Sequence, residues 1–247
     1  MPRGTSRYDE AQLQRRLWTP NVLRPSVWFD AADISTLTLV SNDASEWRDK
    51  SGNARHVSQA TAARRPTYAV SGLNGRPTLD WGSAINNKGF QNLLVSNFNP
   101  TRYFIVADYD GAEPFNEFAG LVSHNFTAST DLIMANNVGS NWFSPASCFH
   151  NGNPTAVQVA LPTISSPFVV ASNFAHNTNR TNLFIGNDRF LTNLTRGWRG
   201  KISEVFAIDY VPSVAERNRA EGYLAWKWGI ALDASHPFVN RPPLIGD

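Results

Sequence analysis

A chain of 247 residues with 42% hydrophobic and 12% aromatic residues can bury a substantial core, as one large all-β domain or as two small domains. Only 17% of the residues are charged and the formal net charge is +2, so composition predicts neither a nucleic-acid-binding protein nor insertion into a membrane. The single cysteine, Cys148, excludes an intrachain disulfide and is interpreted as a small buried hydrophobic residue.

Residues 1–25 differ from the rest of the chain, because basic residues greatly outnumber Asp9 and Glu10 there. Residues 8–18 have the pattern of a short amphipathic helix, with Leu13 and Leu17 one turn apart, but such a helix is too short to be stable alone. The segment is therefore either a disordered terminus or an N-terminal arm that orders against a neighbouring subunit. No apolar run follows the arginines, so we expect no signal peptide and synthesis in a cytoplasm.

Residues 26–230 form a series of short apolar runs separated by Gly, Pro, Asn and Asp, which is typical of a single β-sandwich or barrel. Examples of these runs are residues 103–107, 120–123, 131–134, 168–172 and 181–186.

Charge is distributed unevenly along this domain. No Lys or Arg occurs between Arg102 and Arg180, whereas residues 48–76 are strongly basic. We expect folding to bring the acidic and basic stretches together so that they neutralise each other; the alternative is a head-to-tail contact between subunits.

The most acidic segment is residues 108–113, which begins with Asp108 and Asp110. Carboxylates that alternate along a strand would suit a glycosidase, but Gly111 and Pro114 predict a turn, so we expect no catalytic residues here. The same two aspartates are a weak Ca²⁺ candidate, and we favour an acidic turn exposed to solvent. The histidines lack metal-binding spacing, so we expect no other metal and no cofactor.

A candidate carbohydrate-binding site follows in an asparagine-rich segment. It combines amide hydrogen-bonding groups with an aromatic ring, as sugar sites in sandwiches commonly do. The residues are Asn136, Asn137, Asn141 and Trp142. The alternative is an ordinary hairpin turn whose Trp142 reaches into the core.

The C-terminal part predicts one half-buried strand, residues 201–209, followed by one helix. Pro212 interrupts the strand, Ser213 and Glu216 have the spacing of a capping box, and Gly229 can end the helix. One helical stripe, expected to pack on the sheet, contains Ala220, Tyr223, Leu224 and Trp228. The proline-rich tail, residues 231–247, should lie extended over the surface.

Two blocks of sequence, one at each end of the domain, together resemble a known type of domain. The first contains WFDAAD at residues 28–33 and EWRDKSGN at residues 46–53, and it continues through residues 59–66 and 73–77. The second is GKISEVFAIDYVPSVAERNRAEGYLAWKWGI, residues 200–230. Together they resemble laminin G-like (concanavalin A-like) domains, which occur in phage virion proteins and bacterial surface proteins.

The tryptophans of the domain are expected in its core: Trp28, Trp47, Trp81, Trp198, Trp226 and Trp228.

The resemblance implies an all-β fold, an antiparallel jelly-roll β-sandwich with one C-terminal helix. With the absent export signal and the basic arm, it leads us to expect a non-enzymatic virion protein, either a tail-fibre or appendage subunit or a head decoration subunit. Such a subunit would be a homo-oligomer, bind other virion proteins through its arm and contact host-surface glycan. The alternatives are a glycan-cleaving jelly-roll enzyme and a carbohydrate-binding module of a bacterial surface protein.

Overall fold

The described part of the chain is mostly antiparallel β-structure. The computed structural model describes residues 16–93, 98–110, 119–124, 132–136, 141–143, 148–155, 168–173, 180, 182–188 and 195–247, with the backbone path alone for 132–136, 141–143, 155 and 173. The strands are β1 Val27–Asp30, β2 Leu37–Val40, β3 Asp43–Trp47, β4 Val57–Ser58, β5 Thr67–Leu73, β6 Arg76–Asp80, β7 Phe90–Asn92, β8 Arg102–Ala107, β9 Ala119–Ser123, β10 Leu132–Asn136, β11 Asn141–Phe143, β12 Cys148–His150, β13 Asn153–Thr155, β14 Phe168–Asn173, β15 Leu183–Ile185 and β16 Lys201–Ile208. Three short 3₁₀ helices are Pro20–Leu23, Ile34–Thr36 and Ala62–Arg64, and helix α1 is Val214–Trp228.

The strands pair in the order β11-β10-β9-β15-β7-β4-β3-β5-β6-β16-β8-β14-β12-β13, with β1 on β16 and β2 on β3. Strand β16 pairs with three strands: β8 pairs along one of its edges, and β6 and β1 pair with different parts of its other edge. The prediction of an all-β chain with one C-terminal helix is confirmed for the residues that the structure describes, and the arrangement is consistent with a β-sandwich.

Strand β8 is buried on both faces. Tyr103 and Ile105 face one hydrophobic core, and Phe104 and Val106, which alternate with them, face a second core. The first core lies among the strands, and the second contains the apolar stripe of α1. Strand β16 alternates in the same way, so the half-buried strand predicted over residues 201–209 is instead covered on both sides by sheet and helix.

Helix α1 begins and ends as its sequence predicts. The Glu216 backbone N–H donates to Ser213 Oγ at 3.2 Å, and the Ser213 N–H donates to Glu216 Oε2 at 2.8 Å, which completes a capping box. Gly229 ends the helix in the left-handed region, with φ of 67°. The predicted stripe packs in the second core: Ala220, Leu224 and Trp228 are buried, and Tyr223 is half-buried against them. The described helices include none with the length and apolarity to cross a bilayer.

The two ends of the described chain lie side by side, which corrects two expectations. Leu17 forms an antiparallel bridge with Leu244, so residues 16–18 are extended rather than the end of a helix, and Trp18 is packed in the second core with only 2% of its surface exposed. The rest of the predicted helix lies outside the described residues. The C-terminal tail is not simply a surface strand, because His236 and Phe238 are buried against the domain.

The tryptophan prediction is right for most of the set. Trp28, Trp47, Trp81, Trp198 and Trp228 are buried, as is Cys148. Trp226 is 44% exposed, which corrects its assignment to the core. It lies two positions before Trp228, about 200° around the helix, so both rings cannot face the sheet.

Candidate functional site

The predicted carbohydrate site lies at the β10–β11 hairpin. Asn136 is paired with Asn141, and Ala135 with Trp142, so the backbone brings three of the four predicted residues together. Asn137 lies outside the described residues, and the description of its three companions covers backbone only. The hairpin is thus present, and the glycan-binding role remains a prediction.

Asp108 is buried, which corrects the expectation of an acidic turn exposed to solvent. Its side chain accepts a hydrogen bond from the Lys201 backbone N–H and pairs with Lys201 Nζ at 3.1 Å. Asp110 Oδ2 lies 3.9 Å from the same ammonium group. Burial raises the pKa of Asp108, and the Lys201 charge opposes that shift. The Lys201 ammonium group therefore already lies against the carboxylates that were considered for Ca²⁺. The described residues contain no cluster of His, Cys, Asp and Glu suited to a metal.

A groove lies at the chain ends, and the side chains that line it are described. It has a volume of about 380 Å³ and lies between α1 and the paired terminal segments. Its walls include Leu17, Trp18, Tyr223, Trp226, Lys227 and Pro243. We call it the chain-end groove. Leu17 and Trp226 are 62% and 44% exposed, so this groove displays apolar surface to solvent.

A buried polar network holds the base of the chain-end groove. The Glu204 carboxylate accepts hydrogen bonds from Trp28 Nε1 at 2.7 Å, Trp228 Nε1 at 2.7 Å, the Tyr223 hydroxyl at 3.1 Å and Lys227 Nζ at 2.7 Å. Burial raises the pKa of Glu204, and the nearby ammonium group opposes that shift. Because each donor comes from an element packed on β16, the network fixes α1 and β1 relative to the sheet.

The network continues to the surface through alternating charges. Lys227 Nζ also lies 2.8 Å from Asp30 Oδ1, and Lys50 Nζ lies 3.0 Å from Asp30 Oδ2 and 2.8 Å from Asp33 Oδ2. The Lys50 ammonium is 4.5 Å from the centre of the Trp28 ring. Burial lowers the pKa of Lys50, but hydrogen bonding to Asp33 and the charge of Asp30 outweigh it, so the net shift is upward.

One backbone edge beside the groove lacks a hydrogen-bonding partner among the described residues. The Trp18 N–H donates to the Pro243 carbonyl at 3.0 Å, and the Ile245 N–H donates to the Arg16 carbonyl at 2.8 Å. These two bonds flank Leu17, whose own N–H and C=O point to the other side and make no hydrogen bond within the described residues. Arg16 and Arg24 are exposed and have no ion-pair partner in the described part of the chain.

A second buried cluster fastens the C-terminal tail to α1. Glu221 is fully buried, with Arg217 Nε at 3.6 Å and His236 Nε2 at 3.4 Å from its Oε2. The Arg217 guanidinium lies 3.8 Å from the centre of the Phe149 ring. Burial lowers the pKa of the neighbouring Arg102 to about 10. These contacts anchor the tail and give its buried half a structural role.

A buried tyrosine–histidine pair lies in the first core. The His124 Nδ1–H donates to the Asn182 carbonyl at 2.7 Å, so Nε2 accepts from the Tyr103 hydroxyl at 2.8 Å. Burial lowers the pKa of His124 to about 3 and raises that of Tyr103. At neutral pH both groups are uncharged and enclosed, so they stabilise the core.

Sequence reasoning missed the chain-end groove because its walls come from three parts of the chain. Leu17 and Trp18 were assigned to the arm, Trp226 to the core and Pro243 to the tail. One sequence signal was available: Trp226 and Trp228 cannot share a helix face.

Comparison with known proteins gives distant structural similarities. No protein-family model and no curated protein matches the sequence. A solved structure of Trypanosoma rangeli sialidase with 2,3-difluorosialic acid, described as a covalent intermediate, has a TM-score of 0.49 and 10% identity, and covers 81% of this chain and 32% of the sialidase. A mutant of that sialidase displaying trans-sialidase activity gives a TM-score of 0.42, 11% identity, and coverage of 84% and 35%. This chain thus spans about a third of the length of these proteins.

The comparison corrects the expectation that the chain is not an enzyme. The solved structures named above are sialidases, which are glycoside hydrolases, so that expectation is not retained. At this identity and TM-score the similarity assigns neither a substrate nor a reaction to this chain.

Proposed function

We propose that this chain is a structural subunit of a phage virion, with a laminin G-like jelly-roll sandwich that contacts host-surface glycan. The subunit belongs to a tail fibre or appendage, or decorates the head. One observation carries the proposal: the two sequence blocks that carry the resemblance meet around Glu204. Trp28 and Asp30 come from the first block, and Lys227 and Trp228 from the second.

This convergence supports the proposal because it gives the resemblance a physical basis. The block residues join β1, β16 and α1 through hydrogen bonds and ion pairs around one buried carboxylate. A buried carboxylate is stable only when several hydrogen-bond donors face it, so the donors around Glu204 stabilise the fold together rather than singly. Shared residues of this kind support a shared fold, and the virion role follows from the resemblance itself.

Two surfaces suit the two parts of this function. The chain-end groove exposes apolar surface where the basic N-terminal segment enters the domain, which suits attachment to a particle. The β10–β11 hairpin, with Asn136, Asn141 and Trp142, is the surface we assign to glycan. We further propose that the subunit is a homo-oligomer located in the virion.

The virion role is tested by immunogold labelling of purified particles from the cells that make this protein. We expect gold on the tail or on the head surface, and no label after competition with the recombinant chain. Purified, infective particles that lack the protein by mass spectrometry would contradict the proposal.

The glycan role is tested on a glycan array with Trp142→Ala and, as the matched control, Trp226→Ala at the other surface. We expect binding to be lost only in Trp142→Ala, with its melting temperature unchanged. A large fall in that temperature would instead place Trp142 in the core. Release of reducing sugar is followed in the same samples, so that binding and cleavage are separate readouts.

A further inference from the structure

The chain-end groove combines three features that suit one kind of ligand. Its walls are apolar, with Leu17 and Trp226 open to solvent. Beside it, Leu17 presents a backbone N–H and C=O without a partner in the described residues. Arg16, which directly precedes Leu17, is an exposed cation without an ion pair in the same residues.

We propose that the chain-end groove docks an extended segment of another virion protein. An apolar side chain of that segment enters the groove, its backbone pairs with Leu17, and a flanking carboxylate faces Arg16. The partner's place in the particle rests on the function proposed above, whereas the chemistry of the segment rests on the groove alone.

The backbone edge argues for an extended polypeptide. An unpaired strand edge beside an apolar groove is the arrangement by which proteins add a peptide as a further strand, with main-chain bonds giving affinity and the side-chain site giving specificity. The edge at Leu17 is short, so the groove must supply much of the binding energy. Its aromatic walls offer a large apolar contact to one inserted side chain.

The polar groups of the groove argue against a sugar in this position. Lys227 Nζ already contacts Glu204, Asp30 and the Tyr223 hydroxyl. Trp226 Nε1 donates to the Phe238 carbonyl at 2.7 Å. Sugar hydroxyl groups would therefore find few free partners on these walls and would be desolvated at a cost.

Charge argues against a second copy of the chain at the same face. A symmetric contact centred on this edge would bring Arg16 of one copy close to Arg16 of the other, and the residues that line the groove include no acidic one to offset the repulsion. An acidic segment removes that repulsion and gains attraction instead. Binding should therefore weaken as the salt concentration rises.

The test uses a labelled synthetic probe, acetyl-Asp-Glu-Val-Leu-Val-Glu-Asp-amide, with binding to the full chain followed by fluorescence anisotropy. The first control probe replaces the four acids by lysines, and the second carries N-methyl groups on the central backbone. We expect saturable binding below about 1 mM for the acidic probe and at least about tenfold weaker binding for both controls. Absence of binding by the acidic probe up to about 1 mM, or equal binding by all three, would overturn the proposal.

Two variants locate the site. Trp226→Ala removes an exposed wall of the groove and should weaken probe binding about tenfold, whereas Val214→Ala, at an exposed apolar position elsewhere on α1, should not. Equal affinities in the two variants, at unchanged melting temperature, would refute the groove as the site. A chain that sediments as a dimer, and as a monomer after Trp226→Ala, would make a second copy the occupant.

Measuring how much of the chain is incorporated into particles tests the docking segment and the virion role separately. Normal incorporation of Trp226→Ala into particles would reject the docking segment while leaving the virion role intact. Absence of the unmodified chain from particles would reject the virion role whatever the probe does.

Discussion

Removing the Trp228 side chain should show that α1 is part of the domain core. The ring is fully buried in the second core, and its Nε1–H donates to Glu204 at 2.7 Å. A buried Trp→Ala change costs about 3–5 kcal/mol through lost burial and the cavity that remains. A domain of this size has a stability of about 5–15 kcal/mol and loses about 2–4 °C of melting temperature per kcal/mol, so we expect Trp228→Ala to lower it by about 6–20 °C.

The matched variant Trp228→Phe keeps an aromatic ring in the core and removes the indole N–H. A hydrogen bond to a charged group contributes about 1.5–3 kcal/mol, so this variant should lose about that amount together with the cost of a smaller cavity than the one in Trp228→Ala. Thermal melts and urea unfolding of the purified chain measure both variants. An unchanged melting temperature in Trp228→Ala, together with weakened particle incorporation, would refute the reasoning and make α1 a partner-binding element.

Three further predictions follow from single sites. Burial lowers the pKa of His124 to about 3, so the unfolded chain binds a proton at that residue more readily than the folded chain does. The free energy of unfolding, measured with urea, should therefore fall by about 2 kcal/mol between pH 7 and pH 5. His124→Gln should reduce this dependence on pH, and an unchanged dependence would contradict the assignment. Ser213→Ala should lose about 1 kcal/mol by removing the N-cap of α1, whereas Ser213→Thr should lose less; equal losses would argue against a cap. Trp18→Ala should lower the free energy of unfolding by about 3–5 kcal/mol, because the ring is buried and its centre lies 5.8 Å from that of the Tyr223 ring in the second core. A melting temperature equal to that of the unmodified chain would show that Trp18 belongs to an arm that does not stabilise the domain.

The elements set by neighbouring residues could be predicted from the sequence. Ser213 and Glu216 fix the start of α1, and Gly229 fixes its end, through bonds that span three or four residues. The strands that contain residues 103–107 and 168–172 could be recognised from β-branched and aromatic residues alone.

The features set by distant residues could not be predicted. Asp108 is buried because Lys201, separated from it by 93 positions, supplies the opposite charge. Strand β16 is buried on both faces because α1 folds back over it, which a strand pattern cannot reveal. The candidate groove depends on Leu17 meeting Leu244, the longest-range β-bridge among the described residues, and neither residue carries a recognisable motif.

The pairing of residues 16–18 with 243–245 also decides how the domain can be joined to other chains. Because entry and exit lie side by side, the whole domain can be spliced into a surface loop of a host polypeptide without separating the ends of that loop. Tension applied through both ends would first peel apart this two-bond closure, one bond after the other, and the sheets would carry no load until it had opened.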